Sequence, residues 1–160
     1  MTPQRFHESV TTGDATEFTR GPLTTAHLMR WSGATENWHR IHYDQKFTLE
    51  HEHLPGLLIN GSLKQQFLVQ MLKAWAGPGG RVWKLSFQFR GMNVAGETLT
   101  AWAKVTGMTK KSAYGLVELE IGIRNDKGVE STPGGAVIAL PYENGRPLPY
   151  PFNPPEAEVP

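Results

Sequence analysis

The hydrophobic positions of this chain follow a helical period in one segment. A helix is predicted from Asn60 to Trp75, where bulky apolar residues recur every four positions: Leu63, Phe67, Met71 and Trp75. Asn60 can cap its start, and Gly77 followed by Pro78 ends it. Lys64 and Lys73 are its only charged residues, so we expect the helix to be well covered by the rest of the protein.

Four segments after this helix alternate apolar and polar residues, which predicts strands of an antiparallel sheet with one buried face. Their apolar sets are, in chain order, Trp83, Leu85, Phe87 and Phe89; Leu99, Ala101, Ala103 and Val105; Val117, Leu119, Ile121 and Ile123; and Ala136, Ile138 and Leu140. A turn at Asn125–Gly128 follows the third strand. One long apolar helix followed by such a meander predicts an α+β fold in which the sheet curls around the helix.

The two ends of the chain differ from this central body. Residues 1–22 are polar and interrupted by glycine and proline, with only Phe18 able to anchor a short strand, so they are predicted to be an N-terminal extension. Residues 23–141 are predicted to form a single domain. Residues 142–160 are rich in proline, which lacks the N–H and fixes φ, so an extended arm is expected. The arm is either disordered or lies on the body or on a partner subunit through its aromatic residues: Tyr142, Tyr150 and Phe152.

Composition and charge exclude several classes of protein. The chain has 160 residues, is 39% hydrophobic, and carries 16 basic against 15 acidic residues, so it is expected to fold and has no basic excess for nucleic acid. Its apolar runs are shorter than the roughly 20 residues of a membrane span. Cysteine is absent, which excludes disulfides, thiolate metal ligands and a cysteine nucleophile. The first residues show no secretory signal, so a cytoplasmic location is expected.

The densest run of polar and aromatic residues lies before the predicted helix, at residues 29–47. Within it, His42 is a natural proton shuttle, and Asn37 can hold a water molecule. The Gly61 amide stands at the predicted helix start, where backbone donors lack partners and the helix dipole favours negative charge. A proton shuttle beside such a donor is suited to chemistry next to a thioester carbonyl. A structural histidine and a turn-forming asparagine are the alternatives.

The run SGATENWHRIHYD, followed by LPGLLINGSL, resembles the MaoC-like dehydratase family, which includes the (R)-specific enoyl-CoA hydratases. RVWKLSFQFR is similar to the family's strand that ends in Phe-x-Phe-Arg, and HRIHYD is similar to the branch related to mesaconyl-CoA hydratases. The resemblance implies a single hot-dog domain, which is a long central helix wrapped by a curved antiparallel sheet. It also implies hydration of an enoyl-CoA, or dehydration of a 3-hydroxyacyl-CoA, with no metal or redox cofactor.

Site residues are carried over position by position. His42 falls on the family's catalytic histidine, and Gly61 on the glycine whose amide binds the thioester carbonyl. The family's catalytic aspartate, five residues before the histidine, is Asn37 in this chain. An asparagine also occurs there in the mesaconyl-CoA-hydratase-like branch. Because asparagine cannot be a base, either His42 handles both proton transfers while Asn37 positions water, or Glu36 or Asp44 replaces the aspartate. In an extended stretch Glu36 would point away from Asn37.

Five further residues are predicted to bind the substrate: Asn60, Ser62, His39, Trp38 and Arg90. Ser62 either donates to the thioester carbonyl or caps the helix, and Arg90 either binds a CoA phosphate or is simply solvated. Histidine pairs at 39–42 and 51–53 give a weak metal signal, but no known ligand spacing matches them, so no metal site is predicted. No GxGxxG or P-loop motif implies a nucleotide cofactor.

The expected ligand is an acyl-CoA or an acyl-carrier thioester, with no nucleic-acid or membrane partner. The resemblance implies a homodimer with the pocket at the subunit interface; a higher oligomer, or a heteromer with another MaoC-like chain, is the alternative. Two other functions stay open. One is an acyl-CoA thioesterase. The other, motivated by Asn37, is a catalytically silent hot-dog subunit that binds acyl thioesters or pairs with an active partner.

Overall fold

The computed structural model describes residues 3–153. In this part the chain forms two α-helices, α1 (Thr25–Thr35) and α2 (Gly61–Ala76). It also forms five strands, β1 (Ala15–Arg20), β2 (Arg81–Phe87), β3 (Leu99–Lys110), β4 (Gly115–Asn125) and β5 (Gly134–Leu140). Single turns of 3₁₀ helix occur at His7–Ser9 and Arg40–His42, and a π-helical turn occurs at Phe47–His51.

The strands form one antiparallel sheet in the order β1-β3-β4-β5-β2, and α2 packs against one of its faces. The apolar side of α2 and the inward residues of β3, β4 and β5 make one continuous core. Leu68, Leu72, Ile121 and Ile138 are each fully buried in it. A long central helix wrapped by an antiparallel sheet is the predicted α+β hot-dog fold, which is confirmed.

The predicted elements agree closely with the observed ones because the periodicity that marks them is local. α2 begins and ends within one residue of the prediction, and Gly77 is its C-cap. The assignment of Trp83 to the buried face is wrong. The pairing of β2 with β5 shifts between Val82 and Lys84, and this bulge turns Trp83 to the outer face of the sheet. Trp83 therefore lies in a second cluster, while Leu85 and Phe87 pack on the main core.

Both ends of the chain pack on the domain as far as the structure describes them. Within the predicted extension, β1 pairs with β3, and Phe18 lies 6.2 Å from Phe67 of α2 between ring centroids. In the C-terminal arm, Leu148 and Phe152 pack on the outer cluster, whereas Tyr150 is exposed. The domain bounds at 22/23 and 141/142 stay a prediction, and residues 154–160 of the arm lie outside the described residues.

Two connections meet beside the start of α2. Residues 57–59, just before the helix, pair with residues 93–95 of the β2–β3 connection. The pairing consists of an isolated bridge between Leu58 and Val94, with Ile59 N–H donating to Asn93 C=O at 2.8 Å. This short ladder places both segments around the N-terminus of α2. Between residues 3 and 153, no helix has the combination of length and hydrophobicity needed to cross a membrane.

Candidate active site

The segment that follows α1 is folded into turns rather than extended. Glu36 ends the helix in the left-handed region at φ 52°, and the Asn37 amide donates to the Ser32 carbonyl at 2.9 Å. Asn37 Oδ1 then accepts a hydrogen bond from the His39 amide at 3.3 Å, which leads the chain into the 3₁₀ turn that carries His42. Asn37 Nδ2 makes no hydrogen bond within residues 3–153, so the amide group has donors left for a ligand or water.

The His42 imidazole has a defined orientation. Its Nδ1 lies 2.8 Å from the carbonyl oxygen of Leu58. A carbonyl can only accept, so in the neutral ring Nδ1 carries the hydrogen and Nε2 keeps its lone pair. Nε2 has no protein partner in the described part of the chain, and it is not among the fully buried polar atoms. The ring is thus held at one nitrogen and available as a base at the other.

The surroundings of His42 favour the neutral ring. The residue is 8% exposed. Burial lowers the pKa of His42 below its ordinary value of 6.5, and nearby His39 lowers this pKa further, while the Leu58 hydrogen bond acts in the opposite direction. The two histidine rings lie 6.2 Å apart between centroids. A lowered pKa keeps Nε2 unprotonated at neutral pH, as a general base requires.

The first amides of α2 face no acceptor. The helix begins at Gly61, and the Leu63 and Lys64 amides donate to the Asn60 carbonyl. The amides of Gly61 and Ser62 form no hydrogen bond with any described residue. These two donors, at the positive end of a helix of 16 residues, can bind a carbonyl oxygen that gains negative charge.

The side chains at this helix start link α2 to α1. Asn60 occupies the N-cap position, but its side chain makes no capping hydrogen bond, so the predicted cap is wrong in that respect. Instead the fully buried Asn60 Nδ2 donates to Ser32 Oγ at 3.3 Å, and Asn60 Oδ1 has no partner. Ser62 Oγ accepts from Trp31 Nε1 at 2.8 Å, which leaves its own hydroxyl proton available.

The two carboxylates proposed as replacements for the family's aspartate differ in their surroundings. Asp44 is fully engaged, because Oδ2 accepts from Arg40 and Oδ1 accepts from the Phe47 amide. The hydrogen bond from the Phe47 amide has the largest effect, and together with the bonds from Arg40 it lowers the pKa of Asp44. Asp44 is therefore a poor base. Glu36 is exposed at the end of α1. Neither carboxylate forms a hydrogen bond to His42.

The remaining predicted binding residues lie at the surface. Trp38 is 56% exposed, and its carbonyl accepts from Tyr43 Oη at 2.8 Å. His39 and Arg90 are also exposed, and Arg90 follows the end of β2 with its amide bound to the Ser131 carbonyl. Their roles in binding stay predictions. No three His, Cys, Asp or Glu side chains are grouped as metal ligands anywhere in residues 3–153.

Sequence reasoning missed two residues beside Gly61. A Cβ added to Gly61 would lie 2.8 Å from the Phe89 ring, so Phe89 packs directly on this glycine. The alternation of apolar residues predicts Phe89 on the buried face of a strand, but β2 ends at Phe87 and Phe89 is 51% exposed. The second missed residue is Lys64, whose side chain is buried one turn into α2. Its signal was the spacing of four residues to buried Leu68.

The fold defines a class of protein, the single hot-dog domains, in which one antiparallel sheet is wrapped around a central helix. The chain belongs to the hydroxyacyl-thioester dehydratase type 2 (Htd2) family, which its sequence matches over residues 2–97. That range contains α1, the His42 turn, α2 and β2. No curated protein matches the sequence significantly.

Solved structures share the fold at low sequence identity. The (R)-hydratase from A. caviae involved in PHA biosynthesis is 20% identical, with a TM-score of 0.75 over 84% of this chain and 99% of that one. The ChsH1–ChsH2 complex from Mycobacterium tuberculosis is 15% identical, with a TM-score of 0.69 over 81% and 98%. A conserved hypothetical protein from Mycobacterium tuberculosis with a double hotdog fold is 17% identical, with a TM-score of 0.70 over 98% of this chain and 51% of that one.

Proposed function

We propose that this protein is a hydro-lyase that adds water to the double bond of an enoyl thioester, or removes it from the 3-hydroxyacyl thioester. One observation carries the proposal: the Leu58 carbonyl holds His42 at Nδ1, three residues before the unpartnered amide of Gly61. Three residues span at most about 11 Å, which limits the separation between the Leu58 carbonyl and the Gly61 amide. Membership of the Htd2 family supports this reaction.

The reaction needs only proton transfer and charge stabilisation. As water adds to the β-carbon, its oxygen forms the new C–O bond and His42 Nε2 accepts its proton. The electron pair of the double bond moves to the α-carbon and the thioester oxygen, and the Gly61 amide donates to that oxygen. The imidazolium then returns the proton to the α-carbon, so one water is added and the ring is restored. We therefore propose that no metal or redox cofactor takes part.

Asn37 has the role of positioning the water in this mechanism. Its Oδ1 is used by the His39 amide, and its Nδ2 can donate to the water oxygen, which leaves the water's proton directed at His42. This assignment follows from the poor basicity of Asp44, whose carboxylate is held by Arg40 and Phe47. Positioned acid–base catalysis contributes roughly 10²–10⁴-fold and one oxyanion donor roughly 10²–10³-fold.

We propose that the active form is a homodimer in which a partner covers the entrance to the site. Large apolar side chains are exposed on the two connections around the site and on α1: Met29, Trp38, Leu49, Phe89 and Met92. Exposed apolar surface of this kind is typical of subunit interfaces. Trp38, His39, Ser62 and Arg90 would border the substrate there, with Asn60 behind them. The carrier is CoA or an acyl carrier protein, and a cytoplasmic location stays a prediction from the sequence.

The motif HRIHYD also supports a placement near the mesaconyl-CoA-hydratase-like branch, in which asparagine occurs at the position of Asn37. We propose this placement from the motif alone. It agrees with a mechanism in which the residue five positions before the histidine does not transfer protons.

The test is an assay of the purified protein on crotonyl-CoA. A hydratase removes the ultraviolet absorbance of the conjugated thioester and releases no free thiol, whereas a thioesterase releases thiol. His42→Ala is expected to lower kcat by roughly 10²-fold or more. His51→Ala is the matched control, because His51 is exposed in the π-helical turn and contacts only Phe47 among aromatic rings of the described chain. Full activity in His42→Ala would refute the mechanism.

A second candidate function is favoured by Asn37 itself. A chain without the family's aspartate can be a silent subunit that completes the fold of an active MaoC-like partner. In that case the isolated protein is inactive, and adding the partner produces activity that is insensitive to His42→Ala. Activity of the isolated protein that depends on His42 excludes this candidate.

A further inference from the structure

Lys64 is a buried cation beside the proposed site. It is 3% exposed, on the first full turn of α2. Its Nζ donates to the Gly91 carbonyl and to Asn93 Oδ1, both at 3.1 Å, and lies 5.1 Å from the centroid of the Phe89 ring. Burying an ammonium group is costly, and these contacts offset part of that cost.

The groups bound by Lys64 belong to the β2–β3 connection. Asn93 is 2% exposed, and its Nδ2 donates to Glu97 Oε2 at 2.8 Å. Lys64, Asn93 and Glu97 therefore form one chain of hydrogen bonds that starts at a buried side chain on α2 and ends at half-buried Glu97, just before β3. No carboxylate of the described residues lies within 4.0 Å of Lys64, so the countercharge of Glu97 reaches it through the Asn93 amide.

Glu130 is the other acidic group that acts on Lys64. Its oxygens are already used, because Oε2 accepts from Trp102 Nε1 and Oε1 accepts from the amides of Ile123 and Thr132. Glu97 and Glu130 both raise the pKa of Lys64, but burial outweighs them and lowers it to about 8. Lys64 is thus still mainly protonated at neutral pH.

The segment held by Lys64 also holds the segment that orients His42. Asn93 C=O accepts from the Ile59 amide, and the Ala95 amide donates to the Leu57 carbonyl, both at 2.8 Å. Between these two bonds lies Leu58, whose carbonyl receives His42 Nδ1 and whose amide donates to Ile41 C=O at 2.9 Å. A displacement of the 91–95 segment therefore moves the acceptor that fixes the imidazole.

The same connection reaches the oxyanion donor. Phe89 stands two residues before Gly91, and its ring covers the α-carbon of Gly61. Lys64 lies against this ring on the same face of α2, since residues three apart are neighbours on a helix. The Lys64 side chain thus contacts both the ring that covers Gly61 and the segment that pairs with Leu58.

We propose that Lys64 is a positioning residue, which fixes the β2–β3 connection to α2 and thereby sets the placement of the His42 imidazole relative to the Gly61 amide. This inference rests on the proposed function for its effect on catalysis. It makes Lys64 act through Asn93 and Leu58, without contact to the substrate.

The test compares Lys64→Met with Lys73→Met. Methionine keeps the length of the buried stem and removes the donors, and Lys73 is an exposed lysine on the same helix. We expect kcat on crotonyl-CoA to fall roughly 10–10²-fold in Lys64→Met, as expected for a displaced catalytic group, and to change less than about twofold in Lys73→Met. Protein concentration is corrected for the folded fraction by thermal unfolding.

A second measurement does not depend on activity. In the native protein, the hydrogen bond to the Leu58 carbonyl raises the pKa of His42. Titration of His42 by NMR therefore reports the loss of this bond as a lower pKa. We expect the pKa of His42 to fall further in Lys64→Met and to be unchanged in Lys73→Met. If the wild-type protein is inactive on every enoyl thioester, the proposed function fails while this measurement still decides the inference.

Should Lys64→Met not fold, Asn93→Ser removes the side-chain amide that accepts from Lys64, and it is expected to lower the pKa of His42 as well. An unchanged His42 pKa in a folded variant overturns the inference, as does an unchanged kcat in an active enzyme.

Discussion

The carbonyl of Leu58 receives the imidazole Nδ1 of His42 at 2.8 Å, while its own amide donates to the carbonyl of Ile41 at 2.9 Å. This pair of bonds ties the turn that carries the proposed base to the segment that leads into α2. Because the acceptor is a backbone atom in a short antiparallel ladder, the orientation of the ring depends on the fold rather than on a neighbouring carboxylate. The proposed base and the proposed oxyanion donor are consequently connected by one continuous stretch, residues 58–61.

The pH dependence of the reaction should reflect the burial of His42. Burial and the proximity of His39 lower the pKa of the imidazole, so the ring stays neutral as the pH falls through 6.5, the ordinary value. We expect kcat/KM to decline with falling pH along an acid limb whose midpoint lies below 6.5, because the pKa of His42 is lowered. In His39→Ala the decline is expected to begin at a higher pH, because a neighbouring positive charge is removed. An acid limb centred above the ordinary value in the wild type would contradict a buried neutral base.

Gly61 should not tolerate a side chain without loss of activity. A Cβ at this position would lie 2.8 Å from two atoms of the Phe89 ring, so Gly61→Ala must displace the ring that covers the helix start. Because the contacted atoms are the outer end of a half-exposed ring that can move, we expect a smaller gain in stability than alanine gives at an unobstructed helical glycine, together with a fall in kcat/KM. Thermal unfolding and the crotonyl-CoA assay measure the two effects.

The control for this substitution is Gly33→Ala in α1, where nothing lies within 4 Å of the added Cβ. There alanine should stabilise the protein by about 0.5–1 kcal/mol, since it costs less conformational entropy in a helix. If Phe89→Ala raises the stability but not the activity of Gly61→Ala, the methyl group itself blocks the amide. Equal tolerance of alanine at both glycines would be inconsistent with the observed packing.

Asn37 offers a test of how the water is held. In Asn37→Ala the His39 amide loses its acceptor and the water loses its donor, so activity should drop by roughly 10-fold or more. In Asn37→Asp the carboxylate still accepts from the His39 amide but cannot donate to the water, so activity should fall by a similar factor. Steady-state kinetics on crotonyl-CoA measures both variants. An Asn37→Asp variant as active as the wild type would contradict the assignment of Asn37 Nδ2 as the donor that positions the water.

Much of the architecture was predictable from the sequence because the local periodicity of apolar residues marks the central helix and the strands. The spacing of Leu63, Phe67 and Met71 located α2 to within one residue, and alternation located the four later strands. Trp83 was assigned to the wrong face because a bulge arises from pairing with β5, and nothing in the alternation of β2 encodes a register shift set by a distant strand. The turns after α1 were missed for a similar reason, since they depend on contacts with residues before α2.

The candidate site was predictable in part. Residue chemistry and the family resemblance single out His42, Asn37 and Gly61, and the structure bonds His42 to Leu58, three residues before Gly61. The partner of His42 could not be predicted, because a backbone carbonyl is present at every residue and only the tertiary fold selects Leu58. Lys64 was visible as a charge in a helix with few charges, but its burial depends on how the β2–β3 connection folds over it.

The titration of Lys64 should be measurable as a change in stability with pH. The folded protein holds this lysine at a pKa of about 8, against 10.5 for an ordinary lysine. Below pH 8 both the folded and the unfolded chain carry the proton, and the full cost of burying the charge is present. As the pH rises from 8 to 10.5 the folded protein releases this proton first, so the unfolded chain binds more protons and the free energy of unfolding rises. The difference of 2.5 units corresponds to a rise on the order of 3 kcal/mol for this group.

The variant Lys64→Met lacks this pH-dependent contribution to stability, and the contributions of the other titrating groups cancel when the two proteins are compared. Denaturant unfolding of both proteins between about pH 7 and pH 10 should therefore show the wild type gaining stability relative to Lys64→Met. If the difference in free energy of unfolding between the two proteins is constant across this range, the folded protein holds Lys64 at an ordinary pKa. The observed contacts would then offset the whole cost of burying the ammonium group.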